Sequence, residues 1–151
     1  MMKIAIGNDH GGVELKKHLV EYLTNKGYEM IDLGAQTTES CHYPVFGQRV
    51  GHAVVNGEAD CGIVICGTGI GISIAANKVD GVRCALCSEP VSARLAREHN
   101  NANIVAMGAR TIGPVVAEAI VDTFLTTEAL GGRHQTRVDM FAKIEKGEIL
   151  Y

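Results

Sequence analysis

The chain contains no tryptophan, and aromatic residues make up only 5% of its 151 positions. Proteins that hold single-stranded nucleic acid stack its bases on aromatic rings, so this composition argues against that partner. A basic run is missing too. The 14 Lys and Arg are outnumbered by 17 Asp and Glu, giving a formal charge of −3 at pH 7, which offers no footing for a nucleic-acid backbone or an anionic membrane. No long apolar stretch occurs either. MMKIAIGNDH, at the start, is apolar for only a few residues before charge and turn residues follow, so it reads as neither a secretory leader nor a membrane span. The expected location is the cytoplasm. The odd set of five cysteines (41, 61, 66, 84 and 87) agrees, because small secreted domains usually pair their thiols; all five are expected to be free.

What the chain does have is 46% hydrophobic residues and 18 glycines. That is enough for one packed core, and residues 1–151 read as a single domain. Short runs rich in Ile and Val recur at 3–6, 29–33, 62–66, 82–87 and 103–107, bounded by Gly, Asn or Asp. Buried parallel strands read this way. Helical spacing fills the gaps. In GVELKKHLVEYLTNKG, residues Leu15, Leu19, Tyr22 and Leu23 form one apolar face and Gly27 supplies a stop. Further helices are expected near 44–56, 70–78, 90–99 and 113–126, with Pro90 and Pro114 at helix starts, where a missing N–H costs little. The pattern is an α/β, Rossmann-like three-layer sandwich with a five-stranded parallel sheet. An extra C-terminal helix, expected from Val138, has no strand of its own, which suggests packing on a second subunit.

Ligands of open parallel sheets bind beyond the carboxyl ends of the strands. The residues predicted there are Asn8, Asp9 and His10, then Cys66 to Gly69, then Cys87 to Pro90, then Gly108 to Arg110. CGTGIG is no Walker loop, since no Gly-Lys-Ser/Thr follows. It is no dinucleotide fingerprint either, because Gly71 comes two residues after Gly69 rather than three. Ile72 stands where a thiol phosphatase would carry arginine. What is left is a run of backbone N–H groups opening a helix, suited to an anion or an oxyanion and able to favour an ionised thiol beside it. Two readings of Cys66 stay open on this ground, a base or nucleophile and a buried structural cysteine.

Cys84 and Cys87 form a C-x-x-C, but an offset of three in a strand points them to opposite faces, against zinc. Cys61 reads as a strand start, and Cys41 as a loop residue that reaches the site only if its loop folds over. For His10 the choice lies between an acid/base group steadied by Asp9 and a solvated ring beside a capping aspartate. His18 and His52 read as structural or solvated. Arg133 and Arg137, four apart, share one side if helical and can clamp a phosphate, or else form a solvated basic helix start. His99, at the end of its helix, lies toward the wrong end of the sheet and needs a neighbouring chain or a bent loop to join the others.

Taken in order, Asn8-Asp9-His10, Tyr43-Pro44, Cys66 to Ser73, Ala75-Ala76-Asn77-Lys78, Glu98-His99-Asn100 and GGRHQTR (131–137) resemble the ribose-5-phosphate isomerase B family. That family groups with allose-6-phosphate and galactose-6-phosphate isomerases. The resemblance implies cofactor-free, metal-free interconversion of an aldose phosphate and its ketose phosphate, by homodimers that share their sites and often form tetramers. It assigns Cys66 as the base acting through a cis-enediolate, with Thr68 hydrogen-bonding nearby and the N–H groups of Gly67, Thr68, Gly69, Ile70 and Gly71 around the enediolate oxygen. A partner's His99 would open the sugar ring, while Asp9 and Asn100 fix the sugar and Tyr43 closes the pocket. His10, Arg133 and Arg137, with Arg110 and His134 beside them, would face the phosphate. Two other readings remain beside it: a hexose-phosphate isomerase, and a module that binds a sugar phosphate or nucleotide without turnover.

Overall fold

Five apolar runs become five parallel strands in the computed structural model, which describes residues Met1–Tyr151. They are β1 (Lys3–Asn8), β2 (Glu29–Asp32), β3 (Cys61–Cys66), β4 (Cys84–Leu86) and β5 (Ile104–Gly108). In space the order is β2-β1-β3-β5-β4. Strands β3 and β5 lie inside the sheet and are buried at every position, whereas edge strand β4 is half-buried and only three residues long. The longer 82–87 expectation is corrected there: an edge strand covered by fewer neighbours keeps less of its ladder.

The helices are α1 (Val13–Asn25), α2 (Tyr43–Val55), α3 (Ile70–Ala76), α4 (Pro90–Asn100), α5 (Pro114–Thr126) and α6 (Arg133–Glu145). Leu15, Leu19 and Leu23 bury one stripe of α1, and Gly27 ends the helix at φ +90°, a left-handed stop that glycine adopts without strain. Each of the three prolines sits in the first turn of a helix. Helices α1, α4 and α5 cover one face of the sheet around Ile63, Ile65 and Met107; α2 and α3 cover the other around Val64 and Ala106. Alternate residues of one strand thus feed two separate cores. Helix α6 lies outside these layers, against α4. It starts at Arg133, a turn and more before the expected Val138, because Gly131 and Gly132 at positive φ turn the chain just ahead of it. No helix is long and apolar enough to cross a membrane.

Lys16, on α1, is buried, and its Nζ meets Asp32 Oδ2 at 2.7 Å. Burial alone would raise the Asp32 carboxyl; hydrogen bonds from Lys16, the Gly34 N–H and Gln36 outweigh it and hold the group below its ordinary value of 3.8. A depressed folded pKa means stability that is present above the unfolded value and is lost as pH falls through the folded one. The expected outcome is that Asp32→Asn flattens the acid limb: denaturant midpoints of wild type and variant converge as pH drops below about 4, and parallel curves down to pH 2 would refute it.

Candidate active site

Strands β1 and β3 are neighbours, and from them the chain winds outward in opposite directions, so the sheet has its switch point between their carboxyl ends. The β1 end delivers Asp9 and His10, the β3 end Cys66 and the glycine loop, and the β5 end Arg110. Cys66 is buried on the α2/α3 side. Its Sγ accepts the Gly69 N–H at 3.1 Å, which Gly69 can offer because it adopts φ +77°. A Cβ there would stand 2.7 Å from the Met107 carbonyl carbon. Gly69→Ala is therefore expected to cost at least about 2 kcal/mol in a denaturant melt, from left-handed strain plus overlap with fixed backbone; a loss below about 0.5 kcal/mol would show that the loop relaxes freely.

The loop's donors are divided among several tasks. Gly69 serves the sulfur, and the Ile70 N–H donates to Thr68 Oγ1 at 3.2 Å. The N–H groups of Gly67, Thr68 and Gly71 have no acceptor in the chain. Of the loop donors that the resemblance places around the enediolate oxygen, these three are the ones left without a partner inside the chain. Helix α3 has only seven residues, shorter than the expected 70–78, so its macrodipole adds little and the individual N–H groups carry the local field. The Tyr43 ring lies against Gly71, where an added Cβ would come within 2.6 Å of it, and the Arg110 guanidinium lies over Gly67.

Asp9 is buried and caps the short His10–Gly12 turn, its Oδ1 accepting the Gly11 N–H at 2.9 Å. It does not steady the His10 ring. The Cys41 N–H does so instead, donating to His10 Nδ1 at 3.3 Å with Cys41 Sγ 3.8 Å away. Cys41 therefore does reach the site, because its loop folds over the strand ends. Asn8 was visible in sequence only as part of a motif. It is fully buried, with Nδ2 donating to the Asp9 and Ala35 carbonyls, and its Oδ1, which has no hydrogen-bond partner, fills the space where a side chain at Gly34 would begin. Nothing in the spacing signals that contact.

A second cluster sits elsewhere. Helix α4 runs back along the sheet and ends at His99 and Asn100, just before β5 begins. Cys66 is level with Gly108, four residues further along β5 than Ile104, which is about 13 Å of strand. There the His99 ring stacks on His134 of α6 with centroids 4.4 Å apart. Arg133 and Arg137 occupy the first turns of α6, so the helical spacing that puts them on one side holds. Desolvation, then the charges of His99, Arg133 and Arg137, push the His134 imidazole below its ordinary range. Glu98 opposes them but is itself paired with Arg94, so the two arginines beside the stacked rings suit an anion. Within one chain the predicted residues therefore divide into two groups, at opposite ends of the sheet.

The other thiols are set apart by their surroundings. Burial pushes Cys61 up to about 12 and Cys87 up to about 11, and raises Cys84 further. Cys84 packs into one core and Cys87 into the other, so the C-x-x-C does straddle the sheet. All five cysteines are free, and no three His, Cys, Asp or Glu side chains converge as a metal-ligand set. His18 pairs with Glu118 at 2.7 Å, a structural role, while His52 is exposed on α2.

Comparison with known proteins agrees with this architecture. The family model described as Ribose/Galactose Isomerase matches residues 4–141. Ribose-5-phosphate isomerase B of Escherichia coli is 49% identical over 146 residues, covering 97% of this chain and 98% of the relative. D-erythrulose-4-phosphate isomerase of Pectobacterium atrosepticum is 40% identical over 149 residues, covering 98% of each. The solved structure of ribose-5-phosphate isomerase B from Clostridium thermocellum superposes with a TM-score of 0.96 at 55% identity, over 97% of this chain and 99% of that one. With the match running from the first strand into the last helix, the chain belongs to the ribose/galactose isomerase family of enzymes.

Proposed function

We propose that the protein interconverts D-ribose 5-phosphate and D-ribulose 5-phosphate through a cis-enediolate, with Cys66 as the base. The observation that carries this reading is the placement of Cys66: a thiol at the switch point, its sulfur held by the Gly69 N–H, beside three N–H groups with no acceptor in the chain. The thiolate removes the C2 proton of the open aldose, and the electron pair moves into the C1–C2 bond as the aldehyde oxygen takes the charge. The O2 proton passes to O1, and the Cys66 thiol returns its proton to C1, which leaves a carbonyl at C2. Donors fixed around an oxygen that gains charge stabilise the transition state more than the ground state.

Ring opening falls to His99, supplied by a second subunit of a homodimer, since its own chain holds it at the far end of the sheet. Asn100 comes with it and fixes the sugar together with Asp9, whose Oδ2 makes no hydrogen bond within the chain. Thr68 and the loop donors Gly67 and Gly71 hold the reacting oxygens; Gly69 and Ile70 shape the loop. Tyr43 walls the pocket. His10 and Arg110 from one chain and Arg133 and Arg137 from the other anchor the phosphate, with His134 supporting His99. The chemistry needs only these groups, and a free thiol suits the reducing cytoplasm.

The test is turnover of ribose 5-phosphate by the purified protein without added metal, with allose 6-phosphate and erythrulose 4-phosphate in parallel. Pentose turnover faster than either alternative is expected. Turnover of a six-carbon or four-carbon substrate alone keeps the mechanism and overturns the substrate, whereas binding of all three without turnover leaves a sensor.

A further inference from the structure

Lys16 is the one lysine removed from solvent, with 1% of its surface exposed, and no step above uses it. A buried ion pair adds little net stability once desolvation is counted, and an apolar residue of like size often serves as well. Something else accounts for a charge here. Its Nζ reaches Asp32 Oδ2 at 2.7 Å and Gln36 Oε1 at 3.3 Å, at the root of the loop that joins β2 to α2. Asp32 Oδ1 accepts the Gly34 N–H, and Gln36 Nε2 donates to Asp32 Oδ2 and to the Gly34 carbonyl. Ala35 then exchanges hydrogen bonds with Asn8 at the β1 end. This fixes the first half of the loop.

The far end of the loop meets the site at Cys41, whose N–H donates to His10 Nδ1. A ring nitrogen that accepts cannot carry the proton of the neutral ring, so that proton is on Nε2. His10 and Lys16 lie on one continuous helical stretch, the His10–Gly12 turn running directly into α1. The loop is thus latched twice to the same rigid element. At 3.3 Å the Cys41 contact is at the long end of the hydrogen-bond range, and a small shift of the loop breaks it.

We infer that Lys16 is a positioning residue: through Asp32 and Gln36 it latches the 33–42 loop so that the Cys41 N–H holds His10 in the tautomer that offers Nε2–H to the substrate's phosphate. The last clause rests on the proposed function; the latch itself does not.

The test compares wild type with Lys16→Met, Gln36→Ala and, as a control, Lys26→Met, which breaks the exposed pair between Lys26, at the end of α1, and Asp122 of α5. Nitrogen-15 spectra of the His10 ring, recorded without sugar, are expected to show a bare Nδ1 in wild type and Lys26→Met. Exchange between both tautomers is expected in Lys16→Met, and partly so in Gln36→Ala. Inorganic phosphate should bind Lys16→Met about tenfold more weakly, and KM should rise about as much while kcat changes less than about threefold, the pattern of a misplaced anchor. If Lys16→Met does not fold, Gln36→Ala carries the test. The inference is overturned if His10 keeps its tautomer and phosphate affinity in both loop variants, whatever their melting temperatures. Absence of turnover in wild type would sink the proposed reaction, yet the His10 spectra would still decide the latch.

Discussion

Cys66→Ala is expected to lower kcat by about 10²–10⁴-fold with little change in KM, the loss typical of a general base. That range corresponds to about 3–5 kcal/mol of barrier. The alanine variant also leaves the Gly69 N–H without its acceptor, which costs about 1–3 kcal/mol of stability, so a fall in activity alone would be ambiguous. Cys66→Ser resolves this. A hydroxyl keeps the size of the side chain and still accepts from Gly69, yet is a far weaker base than a thiolate, so the serine variant should melt near wild type and remain almost inactive. In deuterated water the wild type should place solvent deuterium at the migrating position, and both variants should not. Exchange that persists in Cys66→Ser would put the base elsewhere, and Asp9, buried beside the same loop, would be the next candidate.

The contrast among the thiols explains why Cys66 was undecided in the sequence. Cys61, Cys66, Cys84 and Cys87 each sit in or at the edge of an apolar run, and small-residue neighbours look alike in a string of letters. Cys61, Cys84 and Cys87 pack into or against a core with no N–H aimed at their sulfur, whereas Cys66, also buried in a core, accepts the Gly69 N–H. The difference lies in the direction of one donor, which depends on a positive φ at Gly69.

Strands, crossovers and helix stops were legible because their cause is local: apolar runs of strand length, α1's stripe of Leu15, Leu19 and Leu23, and Gly27 after it. The space order, with β4 at the edge beyond β5, was not legible, since the shorter and less buried strand goes outside only when both compete for β3. Long-range contacts escaped in the same way. The Lys16–Asp32 pair spans 16 residues and the Cys41–His10 contact 31, and no periodicity links them. Asp9 beside His10 offered two readings in the sequence, a carboxylate steadying the imidazole and an aspartate capping the next turn. The structure holds the second, with the carboxylate turned onto Gly11, because capping satisfies a backbone donor next to it in sequence.

Mixing inactive Cys66→Ala and His99→Ala proteins is expected to restore about a quarter of wild-type activity after full subunit exchange. In a two-fold dimer with equivalent sites, half of the exchanged dimers are mixed, and one of their two sites combines an intact Cys66 with an intact His99. The expected gain is large because each parent lacks one of the two groups the proposed reaction uses. It follows from where α4 ends. Arg97 donates to the carbonyls of Thr127 and Ala102 and to Asn101 Oδ1, and Arg83 donates to the Asn101 carbonyl. Asn101 itself is fixed as a left-handed cap at φ +44°. These bonds pin the last turn of α4 the length of β5 from its own Cys66, so a site that uses both residues, as proposed, needs a second chain. If each chain could complete its own site, neither parent could rescue the other and mixing would restore nothing. Native mass spectrometry of the mixture settles whether exchange has occurred. Mixed dimers without recovered turnover would place ring opening within a single chain and remove His99 from the shared site.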